Sequence, residues 1–169
     1  MSGITFIIGG ARSGKSSFAL KKASDKQGKK AYIATAQAFD AEMKERIEKH
    51  KKERSSDWEC FEEPLEIAAL LKNIQGRYEV ILLDCLTLWL SNMMLAEKNI
   101  EDEIESLVSS IKGNKSSLFF VSNEVGLGIV PDNPLARRFR DLAGTLNQSI
   151  AAVADEVYFV AAAIPMKIK

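Results

Sequence analysis

The chain has 169 residues, of which 46% are hydrophobic and 27% charged, enough for one domain to bury a core without staples. Lysines plus arginines equal aspartates plus glutamates at 23 each, so the broad positive field of a nonspecific nucleic-acid binder is excluded. Two cysteines, Cys60 and Cys85, cannot form a disulfide framework and lack zinc-ligand spacing, so both are expected to be packing residues.

No apolar run approaches the ~20 residues of a membrane helix, and Met1 to Gly3 lead straight into a strand-like run with no signal-peptide pattern. A soluble, cytoplasmic protein without a membrane span is expected. In chain order, Ile4 to Ile8 (ITFII), Lys30 to Thr35 (KAYIAT), Val80 to Asp84 (VILLD), Ser117 to Ser122 (SLFFVS) and Glu156 to Ala163 (EVYFVAAA) are short apolar runs rich in strand formers. Between them lie helix-compatible stretches at Lys15 to Asp25, Asp40 to Arg54, Pro64 to Ile74, Leu86 to Ile111 with a possible break, and Pro134 to Ala154. Such alternation predicts a single α/β domain over 1–169, a mainly parallel sheet with helices on both faces. The terminal MKIK suits a short edge strand.

Two loops stand out. Gly9 to Ser16 (GGARSGKS) matches GxxxxGK[ST] without a mismatch and sits between a strand and a helix, as a phosphate loop must. Its residues Gly9, Gly10, Ala11, Arg12, Ser13, Gly14, Lys15 and Ser16 are the expected nucleotide cradle. Backbone N–H groups converge on phosphate oxygens there, and the helix N-terminus adds a favourable potential. Lys15 should reach the β and γ phosphates, and Ser16 should ligate Mg²⁺. Asp84, ending VILLD, is the candidate second carboxylate for that metal, directly or through water; it is equally placed to cap the helix that follows. The second loop, Asn123 to Pro131, is either a glycine-rich connection or, with Glu124, Gly126 and Gly128, a loop that closes on substrate.

The only histidine falls within the 40–54 stretch, where Met43, Ile47, His50 and Arg54 share one face of a helical wheel and Phe39 just precedes it. Almost all the rest of that stretch is charged, with Glu45/Lys49 and Glu48/Lys52 at i,i+4 spacing. An imidazole with a reference pKa of ~6.5 supplies a neutral nucleophile at physiological pH. Wheel geometry alone leaves a packed or capping role open for His50.

Taken in order, GGARSGKS, YIATAQ (Tyr32 to Gln37), RIEKHK (Arg46 to Lys51), WECFEEP (Trp58 to Pro64), SNEVGLGIVP (Ser122 to Pro131) and RRFRDLAGTLNQ (Arg137 to Gln148) resemble the bifunctional adenosylcobinamide kinase and adenosylcobinamide-phosphate guanylyltransferase family. The resemblance runs nearly end to end. It implies a RecA-like P-loop fold with one antiparallel edge strand, a homotrimer, Mg²⁺ as cofactor, and GTP or ATP as substrate beside a corrinoid. It implies catalysis by Lys15 and His50, the histidine carrying GMP as a phosphoramidate. It also implies nucleotide contacts at Ala34, Thr35, Ala36, Lys51, Lys52, Glu53, Arg54, Glu62 and Asp84. The sequence departs from the family where Ser55 and Ser56 replace a frequent proline after the arginine. The arginines of RRFRDLAGTLNQ and Asn147 would serve a subunit interface as readily as any site. A P-loop kinase for another small hydroxyl compound, or a non-enzymatic nucleotide switch, are the competing readings.

Overall fold

A computed structural model of the chain describes residues 2–37, 45 and 56–169. The expected strands form, and their bounds are β1 (Ile4–Gly9), β2 (Lys30–Ala34), β4 (Val80–Asp84), β5 (Ser117–Asn123) and β6 (Glu156–Ala161). Two further strands, β3 (Trp58–Glu62) and β7 (Ile164–Lys167), complete one seven-stranded sheet in the order β3-β2-β4-β5-β1-β6-β7. All neighbours run parallel except β6 and β7, so the antiparallel edge strand exists, beginning two residues before MKIK.

The helices are α1 (Lys15–Ser24), α2 (Ile67–Ile74), α3 (Leu86–Leu95), α4 (Ile100–Ile111) and α5 (Pro134–Val153). The possible break within 86–111 exists: Glu97 takes a left-handed backbone (φ 53°), and Asn99 then caps α4 by accepting a hydrogen bond from Asp102 N–H. Glu101, Asp102 and Glu103 in its first turn complement the helix dipole. α2 starts at Ile67 rather than Pro64, because the Glu63 carboxylate accepts from the N–H groups of Leu65 and Glu66 and shapes a turn first.

Alternation along the strands divides the core between the two faces. Phe6, Ile8, Ile33, Ile81, Leu83, Leu118 and Phe120 point to one face, where α2, α3, α4 and α5 supply Ile67, Leu71, Trp89, Leu90, Met93, Leu107, Leu146 and Ile150. Ile7, Tyr32, Val80, Leu82, Phe119 and Val121 point to the other, where α1 contributes Ala19 and Ala23. Small alanines let α1 lie close against the sheet, so its N-terminus is held at the mouth of β1. The central strands β1, β4 and β5 are buried nearly throughout, which is why they read as unbroken apolar runs.

The run Glu156 to Ala163 is not one strand. It stops at Ala161, and Ala162 and Ala163 turn back with φ of 51° and 63°, two consecutive left-handed residues as a two-residue hairpin turn requires. Cys60 is also not a packing residue: it is exposed on β3, whereas Cys85 is buried as expected.

Candidate active site

Every parallel strand delivers its C-terminal end to the same edge of the sheet, and Gly9 on β1 stands level with Asn123 on β5 and Val160 on β6. The loops after β1 and β5 therefore emerge side by side, and Glu124 N–H donates to Gly9 carbonyl oxygen at 2.9 Å. Ligands in open α/β sheets bind at such a place.

Why the loop needs its two signature glycines is visible in its neighbours. A Cβ on Gly9 would lie 2.7 Å from Ser13 Oγ and closer still to the Val160 carbonyl oxygen. Gly14 adopts φ +89°, and a Cβ there would meet Ala163 Cα at 3.1 Å. A Cβ on Gly10 would meet nothing within 4 Å among the described residues. Ser13 N–H closes a turn onto Gly10 carbonyl oxygen at 3.2 Å, and Arg12 sits in the left-handed region at φ 56°. Lys15 Nζ folds back to the Gly10 carbonyl oxygen at 3.0 Å. Helix α1 has no acidic residue in its first turn and no side-chain cap, so its N-terminal N–H groups keep their favourable potential for an anion.

The β6–β7 turn is part of this construction, although no local pattern of residues marks it. Ala163 N–H donates to Ser13 carbonyl oxygen at 2.8 Å while its Cα packs on Gly14. The phosphate loop is thus wedged between β5's exit and the hairpin turn.

Asp84 ends β4, half-buried, and accepts a hydrogen bond from Tyr32 Oη at 3.2 Å. It does not cap α3; the N-cap residue is Cys85. Burial, reinforced by the Asp84 charge, pushes the Cys85 thiol up to about 12, so it is neutral and inert. Ser16 and Asp84 offer a hydroxyl and a carboxylate. Among the described residues no group of three or more His, Cys, Asp or Glu side chains gathers to hold a metal. All-oxygen donors in so small a number fit Mg²⁺, which keeps waters and substrate phosphate oxygens in its shell.

Ala34, Thr35 and Ala36 follow at the exit of β2, and Glu62 lies beside Ala34 at the end of β3. Thr35 is fully buried, its Oγ1 donating to Cys85 carbonyl oxygen at 2.7 Å and accepting from Cys85 N–H at 2.9 Å. It therefore fixes the β2 exit to the β4 exit, using its one donor and one of its two lone pairs. Asn92 on α3 does the complementary task, its Nδ2 donating to Thr35 carbonyl oxygen at 2.8 Å and to Pro64 carbonyl oxygen at 3.1 Å. Sequence reading missed Tyr32, Asn92 and Ala163, since each acts across tens of residues and carries no local pattern. Of the expected 40–54 helix, Glu45 is described, helical and exposed; His50, Lys51, Lys52, Glu53 and Arg54 lie outside the described residues.

The sequence pattern that defines the cobinamide kinase / cobinamide phosphate guanyltransferase family matches residues 5–168. The chain belongs to that family. It is 43% identical over 165 residues to the bifunctional adenosylcobalamin biosynthesis protein CobP of Pseudomonas aeruginosa, covering 96% of this chain and 95% of that protein. Against the CobU proteins of Salmonella typhimurium and Escherichia coli it is 39% and 38% identical, covering 96% of this chain and 98% of each relative. Among solved structures, a RadB recombinase is similar with a TM-score of 0.51 and 16% identity over 93% of this chain and 73% of that one. A type III secretion ATPase is similar with a TM-score of 0.58 and 8% identity over 93% of this chain and 50% of that one. These likenesses establish the P-loop NTPase fold, and family membership makes the chain a bifunctional kinase and guanylyltransferase of cobalamin biosynthesis. Among the described residues no helix is long and apolar enough to cross a membrane.

Proposed function

We propose that the chain first phosphorylates the aminopropanol hydroxyl of adenosylcobinamide with GTP or ATP and then transfers GMP from a second GTP to the product, giving adenosylcobinamide-GDP. The observation that carries this reading is the phosphate loop, its two signature glycines tightly packed, set in a chain that matches the family over residues 5–168. In the kinase step the substrate hydroxyl attacks the γ-phosphorus and the bond to the β-phosphate oxygen breaks. Loop N–H groups and Lys15 spread the developing charge over protein dipoles, so positioning and neutralisation supply the catalysis. Ser16 and Asp84 would hold Mg²⁺, which when bound draws electron density from the phosphate oxygens.

In the second step an imidazole nitrogen of His50 attacks the α-phosphorus of GTP and pyrophosphate departs. The phosphate oxygen of adenosylcobinamide phosphate then attacks the same phosphorus, the N–P bond breaks and free His50 returns. Two displacements replace one, and imidazole serves well both as nucleophile and as leaving group. Ala34, Thr35, Ala36, Lys51 to Arg54 and Glu62 contribute nucleotide contacts, and the Thr35 side chain fixes the exit of β2 against Cys85. We assign a homotrimer and a cytoplasmic location to the enzyme. Ile164, Met166 and Ile168, exposed along one side of the edge strand region, offer apolar surface for subunit contact.

Incubation with α-labelled GTP and Mg²⁺ tests the reading. Label should survive denaturation, resist base and be released by acid. His50→Asn should abolish labelling and guanylyl transfer yet retain kinase turnover, and Lys15→Ala should abolish the kinase step. As His50 is the only histidine, undiminished acid-labile labelling in His50→Asn sinks the covalent mechanism. A monomeric mass by light scattering at full activity sinks the trimer.

A further inference from the structure

The nucleotide accounts for the phosphate loop and leaves the surface beside it unexplained. Among the described residues nine large hydrophobic side chains are exposed, and five of them, Val125, Leu127, Ile129, Val130 and Leu135, fall within eleven residues after β5. Leu127 is 81%, Ile129 96%, Val130 61% and Leu135 62% exposed. Side chains of this kind gathered on one loop signal a binding surface, not chance scatter.

The loop is presented, not merely loose. At its root Asn123 N–H donates to Thr87 Oγ1 at 2.6 Å, and Asn147 Nδ2 donates to Asn123 carbonyl oxygen at 3.2 Å, tying it to α3 and α5. Asn147 is itself buried. At the far end Arg137 holds the carbonyl oxygens of Pro131 and Asp132 at 2.9 and 2.7 Å, and Asn133 caps α5. Its other border is the phosphate loop itself, through the Glu124 to Gly9 hydrogen bond. Leu135 also lines a hollow with Met94, Ile100 and the charged Glu97, Lys98 and Arg138, so the surface continues into a concavity of mixed character.

We infer that residues 125–130 and Leu135 receive the apolar face of the corrin macrocycle and hold its hydroxyl-bearing arm toward the phosphate loop. This rests on the kinase and guanylyltransferase reading above. The chemistry favours that occupant: a corrin ring presents saturated carbon and methyl groups over a broad face, which an anion cradle cannot bind, and it must lie within reach of the γ-phosphoryl group. A surface contiguous with Gly9 meets both conditions. A second copy of the chain is the competing occupant.

The double variant Leu127→Ser/Ile129→Ser separates them. Both side chains are exposed, so the fold should survive. The KM for adenosylcobinamide should rise at least about tenfold, in line with loss of two apolar contacts, while the KM for GTP, the yield of GMP-labelled enzyme and the mass by light scattering stay as in the wild type. Leu127→Met/Ile129→Leu should restore the corrinoid KM. An unchanged corrinoid KM in the serine variant, with an active wild type, overturns the inference, and so does a fall in assembly mass, which would give the surface to a second copy. A wild type that turns over no adenosylcobinamide overturns the function and this inference with it, a result distinct from either.

Discussion

Replacing Gly9 by alanine and Gly10 by alanine makes the same chemical change at adjacent positions of one loop, and the structure demands opposite outcomes. A methyl on Gly9 lies 2.7 Å from Ser13 Oγ and nearer to Val160 carbonyl oxygen, so atoms must part by about 0.7 Å or more to regain the 3.4 Å of ordinary contact. Ser13 is buried with its backbone N–H and carbonyl hydrogen-bonded to Gly10 and Ala163, and the Val160 carbonyl belongs to the backbone of the adjoining strand. Neither yields cheaply. Overpacking of this kind costs about 1–3 kcal/mol, which for a domain of this size lowers Tm by roughly 2–12 °C. If β1 moves instead to relieve the clash, the phosphate cradle shifts by a sizeable fraction of 1 Å, enough to cost up to about 100-fold in kcat/KM for the kinase step. Gly10 meets nothing within 4 Å among the described residues and has no left-handed φ, so Gly10→Ala should keep Tm. Differential scanning calorimetry with steady-state kinase kinetics on the two variants decides the matter. Wild-type Tm and turnover in Gly9→Ala would show that the loop is not wedged against β6 as described.

Native protein should consume one equivalent of a thiol reagent quickly at pH 8 and a second only after denaturation, because Cys60 is exposed while Cys85 is buried with its thiol pushed up to about 12; rapid reaction of both would contradict the closed β4 exit. At the β6–β7 hairpin, hydrogen bonding from Lys167 and then Lys22 holds the Glu156 carboxyl below its ordinary range. A lowered folded-state pKa adds stability above the unfolded value of ~4.3 and loses it as pH falls through the folded one. Glu156→Gln should therefore lower Tm slightly at pH 7, the difference fading by about pH 3; a difference that grows on acidification would reverse the assigned sign.

Much of the fold is legible in the sequence for a physical reason: the central parallel strands are buried on both faces, so each writes an unbroken apolar run, and the phosphate loop writes its glycines where Cβ atoms cannot fit. The edges are less legible. β3 has a neighbour on one side only, and Glu59, exposed Cys60 and Glu62 give it the look of a polar connection. The hairpin turn at Ala162 and Ala163 uses no glycine or asparagine, so nothing marks its left-handed backbone. The helix break, by contrast, had a readable signal in Asn99 followed by three acidic residues. Within the site, Lys15, Ser16 and Asp84 are found from motif and strand-end position. Tyr32 and Asn92 are not, because a hydrogen bond between residues 52 or 57 apart in the chain leaves no periodicity to detect.

The wedge holding the phosphate loop has a consequence for how the enzyme is made. Gly14 leaves the ribosome long before Ala163, whose atoms pack on it, and Gly9 long before Val160, whose carbonyl packs on it. Until those residues emerge, a nascent chain carries the whole nucleotide motif without the surface that shapes it. Nucleotide cannot then chaperone the earlier strands into place as they emerge; the binding-competent loop arises late, when β6 docks beside β1 and its hairpin turns, so that tight nucleotide binding marks a chain translated through residue 163.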